Sequence, residues 1–139
     1  MNNNFEQISL KQGFMKHNGG ILFKTISENE YQFKATITEN HLNAAGITHG
    51  GFIAAFVDAG AGTAAHRSAG NSPCVTISLE LKFISAVRLD QELIGNTKIQ
   101  KKTKTMVFLT SELTAGNRIV ATASGIWKIL KLTGAGPGG

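Results

Sequence analysis

Residues 49–69 constrain the possible folds more than any other segment of the sequence. The stretch HGGFIAAFVDAGAGTAAHRSA shows no strand-like alternation, so it predicts one long helix. Its residues are apolar nearly all the way round that helix, which requires the rest of the chain to bury it. The glycines inside it each cost about 1 kcal/mol of helix propensity relative to alanine. Packing against the rest of the protein must therefore hold this helix, and its glycines are expected to let another backbone or a ligand come close to it.

The segments on either side of this helix read as strands. Apolar and polar side chains alternate through residues 31–38 and again through residues 75–83. Two predicted strands precede the helix and four follow it, at residues 21–26, 31–38, 75–83, 91–102, 105–115 and 118–131. This order predicts an α+β fold in which a roughly six-stranded, mostly antiparallel sheet wraps one long central helix.

The length of 139 residues predicts a single folded domain. We expect an N-terminal helical segment at residues 1–19, with an amphipathic helix over 4–17, a folded domain at 20–132 and a flexible Gly-rich tail at 133–139. The longest apolar run, Phe52–Val57, is too short to span a membrane. The first twelve residues lack the apolar stretch of a secretory signal, so we expect a cytoplasmic protein that does not bind membranes.

Cysteine content and charge narrow the possible chemistry. The single cysteine, Cys74, excludes an internal disulfide and a multi-cysteine metal site, and we expect neither a metal nor a cofactor. The net charge is +5, and residues 82–139 hold nine Lys or Arg against three Asp or Glu. Such a basic half favours either an anionic partner or simple solvation. Because aromatic RNA-binding motifs are missing, nucleic acid is not expected as that partner.

Asp58 is the only acid in the predicted helix. On a helical wheel it shares one side with small residues, whereas the bulky residues and Thr63 occupy the other side. The small side is Gly51, Ala54, Ala55, Asp58, Ala61, Gly62 and Ala65. Asp58 has two interpretations: a buried acid bonded to backbone or to a Thr, or a carboxylate that faces a cleft and takes a proton from water.

The sequence His49-Gly50-Gly51 stands at the predicted helix start. Free N–H groups and the helix dipole there suit the oxygen of a polarised carbonyl, although loops before helices are often Gly-rich. Asp58 follows His49 by nine residues, which is about 13.5 Å along the axis and about 180° around it. If both act at one site, two chains must supply them, as in a two-fold dimer with antiparallel helices.

The stretch from Asn43 to Gly51, NAAGITHGG, followed by Asp58, resembles a motif of the hotdog-fold acyl-CoA thioesterases. It is most similar to the PaaI-like and acyl-CoA thioesterase-13-like branch of the 4-hydroxybenzoyl-CoA thioesterase superfamily. The resemblance extends from about residue 20 to residue 131. It implies a hotdog fold, an acyl-CoA substrate, a homodimer as the minimum unit and a homotetramer built as a dimer of dimers.

The resemblance also implies roles for individual residues. Asp58 would activate or orient the attacking water, and Gly50 would donate its N–H to the thioester carbonyl. Asn43 and His49 would lie near that carbonyl, and Thr76 would help to hold the water. Asp58 and Thr76 would come from one chain, and the other three residues from its partner.

The resemblance also implies a binding partner for the basic half of the chain, residues 82–139. Coenzyme A carries phosphate charges, and Arg88, Lys101, Lys102 and Lys104 are candidates to contact its nucleotide end. The alternative for these residues is a solvated edge that discourages strand pairing. Ser85-Ala86 stands where many relatives have a proline, a difference expected to affect loop geometry and not the site.

The sequence therefore predicts an acyl-CoA thioesterase that cleaves an acyl- or aryl-CoA thioester to the free acid and CoA by Asp-assisted attack of water. Two alternatives stay open. One is a hotdog hydratase or dehydratase, whose expected signatures are missing from the sequence. The other is a non-catalytic acyl-CoA-binding or regulatory protein, which would keep the pocket without needing Asp58.

Overall fold

The computed structural model of the chain describes residues 4–131 and confirms one long helix against an antiparallel sheet. The short helix α1 spans Phe14–His17, and the long helix α2 spans Gly50–Ser68. A single 3-10 turn lies at Glu39–His41. The strands are β1 Glu6–Ile8, β2 Ile21–Ser27, β3 Glu30–Thr36, β4 Cys74–Phe83, β5 Glu92–Lys102, β6 Met106–Ala115 and β7 Arg118–Ile129. The tail expected at residues 133–139 lies outside the described residues.

The strands form one sheet in the order β1-β2-β3-β5-β6-β7-β4, and every neighbouring pair is antiparallel. One edge is therefore the three-residue β1 and the other is the ten-residue β4. Along β4, Val75 is 42% exposed and Ile77 is 53% exposed. A long edge strand with apolar side chains is a template for pairing with another chain.

The N-terminal helix predicted over residues 4–17 is wrong. Glu6–Ile8 pair with β2 instead, and only Phe14–His17 are helical. An isolated helix of that length is marginal in water, whereas the free edge of β2 offers a row of backbone partners. Ile8 also packs against the core. This segment supplies the seventh strand, one more than the sequence predicts.

Helix α2 is not buried all round, contrary to the expectation from its sequence. Phe52 and Phe56 face the sheet, and Asp58 is exposed. Two further assignments from the wheel are corrected. Ala61 and Ala65, placed on the small side, are fully buried, while Thr63 is half-buried and its hydroxyl donates to the Ala59 carbonyl. The sheet curves far enough around α2 to cover more than one apolar stripe.

What stays open on α2 is a strip of small residues with Asp58 at its centre. We call this strip the small face. Its members, all exposed or half-buried, are Gly51, Ala54, Ala55, Asp58 and Gly62. The sheet of the same chain leaves this strip uncovered, so a ligand or a second chain can approach it.

Two glycines allow α2 to lie close to the sheet. A Cβ atom added at Gly60 would stand 2.2 Å from the Phe33 ring, and one added at Gly95 on β5 would stand 2.4 Å from it. Phe33 is fully buried, and its ring centroid lies 4.9 Å from that of Phe56. The close approach expected of the helix glycines is thus made at Gly60 by an aromatic ring from the sheet.

Within residues 4–131, no helix combines the length and the apolar character needed to cross a membrane.

Candidate active site

Asp58 is held by Thr76, which projects from the edge strand. The Thr76 hydroxyl donates a hydrogen bond to Asp58 Oδ1 across 2.6 Å. The other carboxylate oxygen, Oδ2, has no hydrogen-bond partner among residues 4–131. The carboxylate is therefore oriented by one oxygen and free to accept a proton on the other.

An irregularity in β4 places Thr76 on the helix side of the sheet. Thr76 pairs with Trp127 of β7 and Ser78 pairs with Ile126, so Ile77 is an extra residue in this strand. Such bulges re-aim side chains and are frequent beside active sites. Here the bulge leaves Thr76 facing α2, next to Asp58.

At the start of α2, His49 caps the helix with its own side chain. His49 Nδ1 accepts a hydrogen bond from the Gly51 N–H across 2.8 Å. Because Nδ1 is the acceptor, a neutral His49 carries its proton on Nε2. The N–H of Gly50 has no partner in the described part of the chain. That N–H is consequently available, at the positive end of the helix dipole, to a carbonyl oxygen or an oxyanion.

Asn43 organises the loop that leads to the helix. Its Oδ1 accepts hydrogen bonds from the backbone N–H groups of Ala45, at 2.9 Å, and Ile47, at 3.3 Å. Its backbone N–H donates to the Ile47 carbonyl across 2.7 Å. No described residue accepts from the Nδ2 group of Asn43. The amide thus holds the loop with its oxygen and keeps its donors free.

A groove of about 340 Å³ opens beside Gly50. The Thr48 hydroxyl, which could have made its floor polar, is already bonded to the Val87 carbonyl across 2.8 Å. The groove therefore suits an apolar group attached to a carbonyl. We call it the Gly50 groove; it is lined by Asn43, Ile47, Thr48, Gly50, Ile53, Phe83, Ile84, Ser85, Ala86 and Val87. Ser85-Ala86 line this groove, so the expectation that this segment does not affect the site is wrong.

His41 supports this end of the site. It is 3% exposed, and its ring stacks on Phe52 in the first turns of α2, with a centroid distance of 3.8 Å. Nδ1 accepts from the Thr38 N–H across 3.0 Å, and Nε2 lies 2.7 Å from the Asn18 carbonyl. The His41 carbonyl accepts the His49 N–H across 2.8 Å. His41 thereby fixes the residue that caps α2.

The predicted site residues form two groups in one protomer. Asn43, His49 and Gly50 gather at the helix start, and Asp58 and Thr76 gather at its middle. Gly50 precedes Asp58 by eight residues, which is about 12 Å along the helix axis. A single carbonyl group cannot contact both Gly50 and Asp58 of the same chain.

The candidate basic residues are also divided between the two ends of α2. Arg88 directly follows Val87, whose carbonyl accepts the Thr48 N–H near the helix start. At the other end, Lys102 Nζ donates to the carbonyl of Ser68, the last residue of the helix. Lys101 and Lys104 are exposed beside Lys102, and neither forms a salt bridge with another described residue.

Comparison with known proteins identifies the family. The model of the thioesterase superfamily matches residues 45–122, a segment that contains Gly50, Asp58 and Thr76. The chain belongs to the thioesterase superfamily. A similar protein is "Putative esterase PA0474" of Pseudomonas aeruginosa, which is 35% identical over 94 residues. The match covers 67% of this chain and 70% of that protein. The family match and the similarity to a protein named as an esterase confirm the predicted enzyme class, a thioester-hydrolysing enzyme.

Other members of the thioesterase superfamily extend the comparison. Mouse acyl-coenzyme A thioesterase 13 is 28% identical over 78 residues, and the match spans 56% of each protein. The crystal structure of zebrafish thioesterase superfamily member 2 superposes with a TM-score of 0.79 at 19% identity, covering 88% of this chain and 90% of that one. A hypothetical thioesterase of Streptococcus pneumoniae, crystallised with coenzyme A, gives a TM-score of 0.73 at 17% identity, covering 80% and 89%. The hotdog fold is thereby confirmed.

Two features of the candidate active site were not predicted from the sequence. The Gly50 groove depends on residues that are brought together only by the fold. The second feature is the indole N–H of Trp127, a residue of β7 that pairs with Thr76. No feature of the sequence indicates this donor, because its position depends on the register between β4 and β7.

Proposed function

We propose that this protein hydrolyses an acyl-CoA thioester at a site shared between two protomers, with Asp58 assisting the attack of water. The observation that carries the proposal is the division of the site residues. The free Gly50 N–H and the Thr76-oriented Asp58 carboxylate lie about 12 Å apart along one helix. A second copy, with its α2 antiparallel, would bring its Asp58 to the first copy's Gly50.

Two features of the single chain support such a dimer. Among residues 4–131, no strand pairs with the outer side of the edge strand β4, and Val75 and Ile77 on it are exposed. The small face of α2 is open and lacks bulky side chains, so two such helices can approach each other closely. Pairing of β4 with its two-fold copy would cover the edge strand and the small face as far as Asp58 in one isologous interface, and Gly62 would lie beyond the start of the partner helix. The tetramer of two such dimers stays a prediction.

In the proposed reaction, water lies between Asp58 Oδ2 and the thioester carbonyl carbon. Oδ2 takes a proton from the water while the water oxygen forms a bond to that carbon. The carbonyl oxygen becomes an oxyanion that accepts from the Gly50 N–H at the positive end of α2. The Asn43 Nδ2 group and the His49 Nε2–H are the further donors on that side.

The tetrahedral intermediate then collapses to products. The carbon–sulfur bond breaks and its electron pair stays with the sulfur, which leaves as a thiolate. The proton held on Asp58 neutralises this thiolate, so the products are the free acid and the thiol of CoA. Asp58 returns to its carboxylate form, and no other group changes its protonation state.

The basic residues would bind the nucleotide end of the substrate. Ser68 follows Asp58 by ten residues, so Lys102 would stand about 15 Å beyond the partner's Gly50 in the antiparallel arrangement. That is the side on which the partner's Arg88 lies. The pneumococcal thioesterase crystallised with coenzyme A shares this fold, which supports CoA as the carrier group.

The test is release of free thiol from a panel of acyl-CoA substrates, with the Asp58→Asn variant beside the wild type. We expect turnover by the wild type and a loss of about 10²-fold or more in kcat for the variant. Asp58 is exposed, so the variant should keep its thermal stability. Binding of acyl-CoA without thiol release would indicate the non-catalytic alternative. Addition of water across an enoyl-CoA double bond would indicate a hydratase.

A single turnover in heavy-oxygen water separates a base from a nucleophile. If Asp58 acts as the base, all of the label enters the free acid and none enters the protein. An anhydride formed by Asp58 and opened by water at the Asp58 carbonyl would instead leave heavy oxygen in the Asp58 side chain, detectable by peptide mass. That second result would contradict the proposed role of Asp58.

A further inference from the structure

The indole of Trp127 contains a polar group that the proposed reaction does not use. The side chain is 2% exposed, yet its N–H has no hydrogen-bond partner among residues 4–131. Buried indole N–H groups usually find an acceptor. No fully enclosed side-chain nitrogen or oxygen among the described residues lacks a partner, so there must be room for a water molecule to touch this nitrogen. The ring is therefore packed in the core, with its donor at an opening.

That opening lies next to Gly62. A Cβ atom added at Gly62 would have the indole Nε1 as its nearest neighbour, at 3.2 Å. Because Gly62 has no side chain, a small notch remains between the helix and the indole nitrogen. Any larger residue at this position would fill the notch and cover the donor.

The notch belongs to the same surface as the catalytic carboxylate. Gly62 follows Asp58 by one helical turn, about 6 Å, and both lie on the small face. Trp127 is also the cross-strand partner of Thr76, which holds Asp58. The donor lies beside Gly62, one helical turn from the carboxylate on the same helix, and its strand pairs with the residue that holds the carboxylate.

We propose that the Trp127 N–H is a substrate-binding donor that receives a carbonyl or hydroxyl oxygen of the thioester about one helical turn from the reacting carbon. This inference rests on the proposed function. An indole N–H can only donate, so the bound group must be an acceptor. The notch at Gly62 is narrow and suits an oxygen atom with little bulk around it.

Two parts of a thioester substrate could supply this oxygen. In the pantetheine arm of CoA, the first amide carbonyl follows the sulfur after an ethylene group and a nitrogen, a reach comparable with one helical turn. On the other side of the thioester, an acyl chain can carry a hydroxyl or carbonyl oxygen at a similar distance. Both sources present the same chemistry to the donor.

The experiment replaces Trp127 with benzothienylalanine, which keeps the shape of the ring and lacks the N–H. A second variant, Gly62→Ala, keeps the donor and fills the notch. Three thioesters of one unsubstituted acid are compared: the CoA ester, the N-acetylcysteamine ester, which retains the amide, and a propanethiol ester, which does not. We expect KM to rise about threefold to tenfold in both variants for the two amide-bearing esters, and to stay unchanged for the propanethiol ester.

A fourth substrate, the propanethiol ester of a 3-hydroxy acid, tests the acyl source. A rise in KM with this ester alone would support the donor and assign the oxygen to the acyl group. Equal losses on every ester, or no change on any, would overturn the proposal, because a purely structural indole does not discriminate between substrates.

Binding of a non-hydrolysable thioether analogue of acyl-CoA is measured in parallel. If the wild type binds this analogue but releases no thiol from any ester, the proposed function fails while the donor remains testable by the Kd. The analogue is made with the unsubstituted acyl chain and with the 3-hydroxy acyl chain. A Kd that the benzothienyl variant leaves unchanged for both analogues would overturn the donor, whether or not the enzyme is active.

Discussion

The Thr76 hydroxyl and the Asp58 carboxylate are joined by a hydrogen bond of 2.6 Å between a strand bulge and the centre of a helix. The residue proposed to activate water is thus held by the edge strand that is also the candidate dimer interface. In the proposed dimer, the chemistry and the assembly would be linked through the Thr76 side chain.

Removal of the Thr76 hydroxyl should lower kcat without unfolding the protein. A hydrogen bond to a charged group contributes about 1.5–3 kcal/mol, so we expect Thr76→Val to lose about tenfold in kcat or more. Thr76 is exposed in the single chain, and valine is a good strand residue. Thr76→Ser keeps the donor and is the matched control. Equal activity of the valine and serine variants would contradict a role for this hydroxyl.

Adjacent glycines at the start of α2 should respond differently to alanine. At Gly50 a Cβ atom would meet only the Phe83 ring, at 3.5 Å, so Gly50→Ala should fold normally. It should lose up to about 10²-fold in kcat, the scale of one blocked oxyanion donor. At Gly51 the Cβ would stand 2.9 Å from His49 Nδ1, so Gly51→Ala should lose the helix cap, worth about 1 kcal/mol.

Thermal unfolding and thiol release distinguish these two glycine variants. Gly50→Ala should have an unchanged Tm and a low kcat, and Gly51→Ala a lower Tm. If Gly50→Ala retained full activity, the substrate oxygen would not approach this N–H.

A shared site predicts that two inactive variants restore each other. Asn43→Asp keeps the oxygen that holds the loop and removes the amide donors, while Asp58→Ala removes the base. Each should be inactive as a homodimer. After joint unfolding and refolding at equal amounts, half of the dimers are mixed and each of these has one intact site, so about a quarter of the wild-type activity should return.

The control for this complementation is the amount of mixed dimer, measured by mass. Absence of activity despite confirmed mixed dimers would show that each site lies within one chain. The antiparallel arrangement of the helices would then be wrong as well.

The lysines near the end of α2 should separate into binding and structural roles. Neutralising Lys101 and Lys104 to glutamine should raise KM for acyl-CoA severalfold, with an effect that weakens at high salt. The propanethiol ester, which lacks the nucleotide, should show no change. Lys102→Gln should in addition lower the Tm, because its ammonium group bonds the last carbonyl of the helix. Equal KM changes for both substrates would contradict a contact with the nucleotide.

Cys74 should be poorly reactive in the folded protein. Burial raises the pKa of the Cys74 thiol, which lowers the thiolate fraction at neutral pH. We therefore expect slower alkylation by iodoacetamide in the native state than in urea, with the native rate still rising above pH 9. A native rate equal to the unfolded rate would show that the thiol is unprotected.

The sequence predicted the long helix and six of the strands because their periodicities extend over many residues. It missed β1, since three residues are too few to show alternation and their pairing depends on the free edge of β2. For the same reason the helix predicted there was wrong: local periodicity did not include the competing sheet edge.

At the site, motif spacing indicated Gly50 and Asp58, and the wheel indicated that they cannot meet within one chain. The sequence could not show that the Gly51 N–H donates to the His49 side chain, or that the Asn43 side-chain oxygen accepts from the backbone of its own loop. Nor could it show the open donor of Trp127. These features depend on which groups tertiary contacts leave without partners.

The contact of Phe33 with Gly60 and Gly95 has a consequence for how such an enzyme can diversify. These glycines set the distance between α2 and the sheet, and therefore the height of Asp58 above Thr76. Residues such as Phe83 and Ile84 at the rim of the Gly50 groove do not determine that distance. We therefore expect directed evolution towards new acyl groups to tolerate changes at the rim of the Gly50 groove and not at Gly60 or Gly95, where any side chain would push α2 away from the sheet and Asp58 away from Thr76.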